Sequence, residues 1–98
     1  MRTLLKVQMD TATASKAIAD GSLNKVMTST MERLKPEAAY FGPEDGVRTA
    51  FIIFDLEHPS QIPAISEPLF STLNAKLTFM PVMNREDLQK GLQDISPS

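Results

Sequence analysis

The sequence predicts an α+β domain in which a four-stranded antiparallel sheet carries helices on one face. Segments with strand-like and helix-like apolar patterns follow one another along the chain in the order βαββαβ, and a short helix follows the last strand. The 98 residues are enough for one hydrophobic core and too few for two. A single domain over residues 1–98 is therefore expected.

The first strand is predicted over residues 3–9, where Leu5, Val7 and Met9 alternate with residues of the opposite face. A helical run follows over residues 12–34. Its Asp20-Gly21-Ser22 passage predicts a break, because glycine costs about 1 kcal/mol in a helix interior. Ser22 is the expected cap of the second segment.

The middle of the chain predicts a weak strand, a turn and a strong strand. Residues 37–41 form the weak strand, and the glycines, proline and acidic residues of 42–46 predict the turn. Residues 47–56 are rich in β-branched and aromatic side chains, which are typical of strands. Phe51 and Ile53 lie on one face of this strand, and its other face holds Ala50, Ile52, Phe54 and Leu56.

The second helical region begins at residues 57–60 and is expected as two pieces that break near Ser66. The reason is Pro68, which has no N–H to donate to a helical hydrogen bond. The fourth strand is predicted over residues 76–82, and Pro81 within it favours an edge position.

A capping pattern opens the terminal helix. Asn84 is followed three residues later by Asp87, and Leu88, Leu92 and Ile95 then share one helical face. The tail, residues 96–98, is expected to fray.

This order of elements predicts the ferredoxin-like arrangement, with the first and third strands central and the other two at the edges. Helices can cover only one face of such a sheet, so the other face should be polar in a monomer. Instead it includes Leu4, Phe51, Ile53, Met80 and Val82. A homodimer in which a second sheet covers this face through a two-fold axis is therefore expected.

Two passages strengthen this expectation: DLEHPS at residues 55–60, and EPLFSTLNAKLTFMPVMN at residues 67–84 running into the last strand. With the order of elements, they make the chain resemble the dimeric α+β barrel superfamily, and within it small stand-alone bacterial proteins of unknown function. The resemblance implies a homodimer with facing sheets and a cleft for small, often aromatic molecules. Relatives in that superfamily include cofactor-independent monooxygenases, muconolactone-isomerase-like enzymes, haem-degrading and haem-peroxidase proteins, and ligand-sensing regulators.

The candidate ligand site lies on the face that the helices leave open. Lys6 and Gln8 are polar residues of a central strand on an otherwise apolar surface, where they must be hydrogen-bonded or hydrated. Lys6 would supply charge to a carbonyl or carboxylate, unless it pairs with Asp55 or with the partner subunit. The complete candidate site is Lys6, Gln8, Phe51, Ile53, Thr78 and Met80.

His58 is the weak candidate for a catalytic residue, because it is the one side chain whose ordinary pKa lies near neutrality. Its place beside Pro59 favours a solvated residue at the start of a helix. With one histidine and no cysteine, and with carboxylates at unsuitable spacing, we expect no metal site and no cofactor.

Composition excludes other classes of function. Ten basic against twelve acidic residues give a net charge of -2, which lacks the basic surface that nucleic-acid binding needs. The chain contains no apolar run that approaches the ~20 residues of a membrane span, so a cytoplasmic protein is expected. Three classes stay open: a small-molecule binding or sensing module, a cofactor-independent enzyme acting on a small aromatic or carbonyl compound, and a structural or partner-binding domain.

Overall fold

The structure, a computed structural model, describes residues 1–95. The strands of this region are β1 (Arg2–Gln8), β2 (Ala38–Glu44), β3 (Val47–Asp55) and β4 (Lys76–Pro81). The helices are α1 (Thr11–Asp20), α2 (Ser22–Leu34), α3 (Ile62–Leu73) and α4 (Arg85–Gln93), and a 3₁₀ turn (Pro59–Gln61) precedes α3. The predicted frayed tail at residues 96–98 lies outside the described residues.

The four strands form one antiparallel sheet in the order β2-β3-β1-β4. β1 and β3 are central and the proline-containing β4 is an edge strand, as the sequence predicts. The observed α+β architecture is compatible with a ferredoxin-like fold.

The core lies between one face of the sheet and helices α1 to α3. Alternate residues of the central strands point into it, and Leu5, Val7 and Ile52 are completely buried. The helices contribute Ala14, Val26, Met27, Ile65, Leu69 and Leu73 to the same cluster. The period-two pattern of the strands and the 3.6-residue period of the helices thus meet in one apolar layer.

The predicted turn over residues 42–46 is wrong in extent. The chain reverses within Asp45 and Gly46 alone, whose φ angles are 52° and 78°. Positive φ at both positions is the geometry of a two-residue type I′ turn, for which Asp-Gly is a preferred pair. β2 therefore continues to Glu44, opposite Val47, and Pro43 is tolerated because β2 is an edge strand.

The break between α1 and α2 is confirmed at Gly21, which has a φ of 84°. The predicted cap at Ser22 is wrong, because Ser22 is the first residue of α2 and its hydroxyl donates to Asp20 Oδ1 at 2.6 Å. The backbone N–H of Ser22 donates to the same oxygen at 2.8 Å. These two hydrogen bonds, chiefly the one from the hydroxyl, lower the pKa of Asp20.

The predicted break near Ser66 is also wrong, because α3 is continuous with Pro68 inside it. Because Pro68 has no N–H, the carbonyl of Ala64 lacks the hydrogen bond that it would accept in a regular helix. Both residues are exposed, so water can hydrate this carbonyl. The local cost of about 3 kcal/mol is offset by burial of three apolar side chains at roughly 1.5–3 kcal/mol each. These side chains are Ile65, Leu69 and Leu73.

α4 begins with the predicted capping box. The backbone N–H of Asp87 donates to Asn84 Oδ1 at 2.8 Å, and the N–H of Asn84 donates to Asp87 Oδ2 at 3.3 Å. Every residue of α4 is exposed. Within residues 1–95, no helix has the length and apolar character needed to cross a membrane.

Candidate functional site

The predicted binding residues lie on the sheet face opposite the helices. Lys6 of β1 lies between Phe51 of β3 and Thr78 of β4 in the strand register. Two residues earlier in β1, Leu4 lies between Ile53 of β3 and Met80 of β4. We call this surface the open face, and it consists of Leu4, Lys6, Gln8, Phe51, Ile53, Thr78 and Met80.

The open face is apolar and incompletely buried. Leu4, Phe51 and Ile53 are half-buried, and Met80 is 46% exposed. None of these side chains belongs to the core cluster that the helices cover. Tyr40 of β2 extends the surface toward the edge of the sheet, opposite Phe51 in the register, and is 68% exposed. Apolar side chains from all four strands therefore form a contiguous patch that no helix of the described chain covers.

Lys6 is the charged residue at the centre of the open face, and its partner within the chain is Glu44. Lys6 Nζ donates to Glu44 Oε1 at 2.9 Å, and both side chains are half-buried. Asp55, the partner within the chain that the sequence suggested, instead pairs with the amino terminus of Met1. The charge of Lys6 is therefore compensated within the chain, as expected, but by Glu44 at the end of the edge strand β2 and not by Asp55.

The other polar members of the open face flank this ion pair. Gln8 is half-buried and lies between Thr49 and Lys76 in the register, whereas Thr78 is exposed. The amide of Gln8 can donate and accept hydrogen bonds, so the centre of the face combines the Lys6 cation with a bifunctional amide on an apolar surface. Two further cations, Arg2 and Lys76, lie on the same face at its ends.

His58 lies outside the sheet and is not among the open-face residues. It precedes the 3₁₀ turn, is exposed, and donates its backbone N–H to Gln61 Oε1 at 3.1 Å. This is the solvated position at a helix start that the neighbouring proline indicates. Within residues 1–95, no three carboxylate or histidine side chains come together in a way that could hold a metal ion.

Sequence reasoning missed a cleft of about 410 Å³ on the helix side of the sheet, between the end of α2, the end of β3 and the start of α3. Phe54 and Ile65 form part of its apolar lining. Its charged lining is balanced, with two cations and two carboxylates: Arg33, Lys35, Asp55 and Glu57. The signal in the sequence was the charge on both sides of Leu34 and Leu56, but nothing local indicates that these two segments meet.

A second recess, also missed, lies at the opposite end of the strands. This apolar groove has a volume of about 480 Å³ and is lined by Ile18 and Leu23 of the helices, by Met9, and by Phe41, Pro43 and Arg48 of the β2–β3 hairpin. Phe41 is on the helix side of β2 yet is 62% exposed, since helices α1 and α2 do not extend over this edge of the sheet.

Comparison of the chain with models of protein families, with curated proteins and with solved structures finds no match.

Proposed function

We propose that this protein is a homodimeric binding module of the dimeric α+β barrel type. In this proposal two copies pair through their open faces and hold a small planar molecule with a carbonyl or carboxylate group between the sheets. The observation that carries the proposal is the contiguous apolar open face, which no helix of the described chain covers.

Burial of apolar surface supplies the driving force for pairing. Removal of apolar surface from water is worth roughly 25 cal/mol per Å², and a half-buried Phe51 or Ile53 leaves part of that stabilisation unused in the monomer. A two-fold axis brings the same patch of each copy together, so one apolar face is sufficient to build the interface.

Lys6 and Gln8 give the pairing surface its chemical selectivity. After pairing, the Lys6–Glu44 ion pair lies in a less polar environment, where a charge-assisted hydrogen bond is stronger than in water. A ligand carboxylate can share the Lys6 ammonium group, and the Gln8 amide can orient the ligand carbonyl. Phe51, Ile53 and Met80 supply the apolar walls of such a site.

The first experiment measures oligomeric state by light scattering at micromolar concentration. The expected mass is twice the 10.8 kDa of one chain. Ile53→Asp should convert the dimer to monomers, because a buried uncompensated charge costs several kcal/mol. Phe70→Asp is the matched control, since Phe70 is a large apolar residue of α3 that is 44% exposed on the helix side. A wild-type mass of one chain contradicts the proposal.

The second experiment tests the ligand. Benzoate is titrated into the isotopically labelled protein, and backbone amide shifts are followed by NMR. The expected shifts map to β1 and β3 and are lost in Lys6→Met but kept in Lys25→Met, a control that removes an exposed lysine of α2 on the opposite side of the sheet. Equal binding by both variants excludes Lys6 from the site. Absence of binding by the wild-type dimer indicates a filled interface and favours a structural domain.

A further inference from the structure

The apolar groove at the Gln8 end of the strands combines an apolar lining with a single charge. Ile18 and Phe41 line it and are 53% and 62% exposed, although both are large apolar side chains. Arg48 is the one charged residue among the described residues that line the groove. Sites for small molecules commonly have this composition, with apolar walls and a few polar groups that orient the ligand.

The groove forms where the helix layer is interrupted. α1 and α2 are separated at Gly21, whose φ of 84° is readily adopted by glycine and costly for other residues. Ile18 comes shortly before this break and Leu23 shortly after it. These two side chains form the helical wall of the groove.

The β2–β3 hairpin supplies the other wall and the charge. Phe41 lies opposite Ala50 in the strand register and Pro43 lies opposite Arg48, so these four residues share one face of the sheet. Ala50 is completely buried in the core, which shows that this is the face the helices cover. Arg48 and both walls therefore meet on the side of the sheet opposite the open face.

The guanidinium group of Arg48 is positioned but its charge is not compensated. Its Nη1 atom donates to the Thr11 carbonyl at 3.4 Å, and within residues 1–95 it forms no ion pair. The carboxylate of Asp10, next to Thr11 in the sequence, caps α1 and accepts hydrogen bonds from Thr13 instead. A guanidinium group has five N–H donors and can bind a carboxylate through two of them. Arg48 therefore keeps hydrogen-bonding capacity for an anion at the groove.

We propose that this groove binds a small monocarboxylate with an apolar tail, of the class of medium-chain aliphatic acids. The carboxylate pairs with the guanidinium group of Arg48, and the tail lies between Ile18, Leu23 and Phe41. The volume of about 480 Å³ falls within the range of roughly 300–1,000 Å³ that is typical of ligand sites. Because the groove and the open face lie on opposite sides of the sheet, this inference does not rest on the proposed homodimer.

The dimensions of the groove favour a ligand with a tail over a small inorganic anion. Arg48 contacts Thr11 at the start of α1, and Ile18 lies seven residues further along the helix, which is about 10 Å. Burial of each CH₂ group of the tail should raise the affinity by up to about fourfold. The tail thus supplies affinity, and Arg48 selects a carboxylate over an alcohol of the same length.

The first test titrates octanoate into the isotopically labelled protein and follows backbone amide shifts by NMR. The expected shifts map to the groove, at Ile18, Leu23, Phe41 and Arg48. Octanol has the same tail without the charge, and butyrate has the charge with a shorter tail, so each should bind about tenfold more weakly or worse. No shifts, shifts confined to other surfaces, or equal affinities for octanoate and octanol would overturn the inference.

Two variants with matched controls test the groove residues. Arg48→Met should weaken octanoate binding about tenfold and leave octanol binding unchanged. Arg33→Met, which removes an exposed arginine at the end of α2, should change neither. Ile18→Gln should weaken the binding of both ligands, and Phe70→Gln, at an exposed apolar residue of α3, should weaken neither. Equal effects of Arg48→Met and Arg33→Met on octanoate contradict the role of Arg48.

The outcomes for the groove and for the homodimer are separable. Octanoate should bind the Ile53→Asp variant and the wild-type protein equally. A monomeric wild-type protein that binds octanoate through Arg48 contradicts the homodimer alone, and a dimer that does not bind octanoate contradicts this inference alone. Self-association that is lost in Ile18→Gln, without octanoate binding, would assign the groove to a second copy of the chain and overturn the inference.

Discussion

Ile52 and Ile53 are the same amino acid at adjacent positions of β3, yet they occupy opposite environments. Ile52 is fully buried against Leu5 and the helices, whereas Ile53 on the open face is only half-buried. The two faces of the sheet therefore differ in what covers them more than in the residues they present. The proposed second covering layer rests on this feature: β3 has apolar residues on both faces, whereas the helices of the chain cover one face.

The comparison also separates two kinds of polar residue. On the covered face, buried Thr3 satisfies its hydroxyl within its own strand region, by donating to the Met1 carbonyl at 3.0 Å. On the open face, Lys6 uses a partner from a different strand, Glu44. The covered face is thus complete within one chain, and the open face keeps a charged pair at the surface where a ligand or a second copy can meet it.

The largest expected effect is on the covered face. Ile52→Ala should lower the free energy of unfolding by about 2–5 kcal/mol, because it leaves a cavity in a closed core. Ile53→Ala should cost much less when the protein is dilute, and more as the protein concentration rises and the open face becomes buried. Urea unfolding of both variants at two protein concentrations measures this. Equal costs for the two variants in dilute solution would remove the distinction between the faces.

A smaller effect is expected for the ion pair of the open face. Glu44→Gln should lower the free energy of unfolding of the monomer by about 0.2–1 kcal/mol, the range for partly exposed pairs. In the dimer the loss should be larger, since Lys6 is then desolvated without its partner. Urea unfolding of the Glu44→Gln variant in the monomeric Ile53→Asp background, compared with the dimer, gives both values. A larger loss in the monomer would contradict this order.

His58 should contribute little to either face. His58→Ala is expected to change the free energy of unfolding by no more than about 0.5 kcal/mol, as is usual for exposed residues. Thermal unfolding followed by circular dichroism is sufficient to measure this. A loss of several kcal/mol would show that the imidazole is buried in the assembled protein.

The smallest effect is on the stability of the protein in acid, and it concerns α1, one of the helices that cover the sheet. Asp10 caps α1, and hydrogen bonds from the Thr13 backbone N–H and hydroxyl hold its pKa below the ordinary value of 3.8. A carboxyl with a lower pKa in the folded state contributes stability above its unfolded pKa, and this contribution is lost as the pH falls through the folded pKa.

Stability should therefore decrease with acid below about pH 4, and the slope should be shallower in Asp10→Asn, which keeps the cap but cannot titrate. Denaturant unfolding at several pH values between 2 and 6 measures this slope. The Asp45→Asn variant, in which an exposed hairpin carboxyl is removed, is the matched control. Identical slopes for wild type and Asp10→Asn would exclude Asp10 as a contributor.

Much of the architecture was predictable because it depends on local patterns. Alternation in β1 and β3 reflects the period of a strand, the break at Gly21 reflects its positive φ, and the capping box at Asn84 depends on residues three positions apart. The same patterns assigned the seven open-face residues to one face, as the strand register shows, since strand alternation decides which side each residue occupies.

Sequence by itself determined the elements, their order and the two-sided apolar character of the central strands, because each follows from neighbours within a few residues. Only the tertiary structure decided that α3 continues through Pro68, that Lys6 pairs with Glu44, and that a cleft and a groove form at opposite ends of the sheet. These features arise from segments far apart in the chain, and their energies depend on packing. In α3, for example, burial of Ile65, Leu69 and Leu73 outweighs the local cost of Pro68, which is the part of the balance that the sequence alone shows.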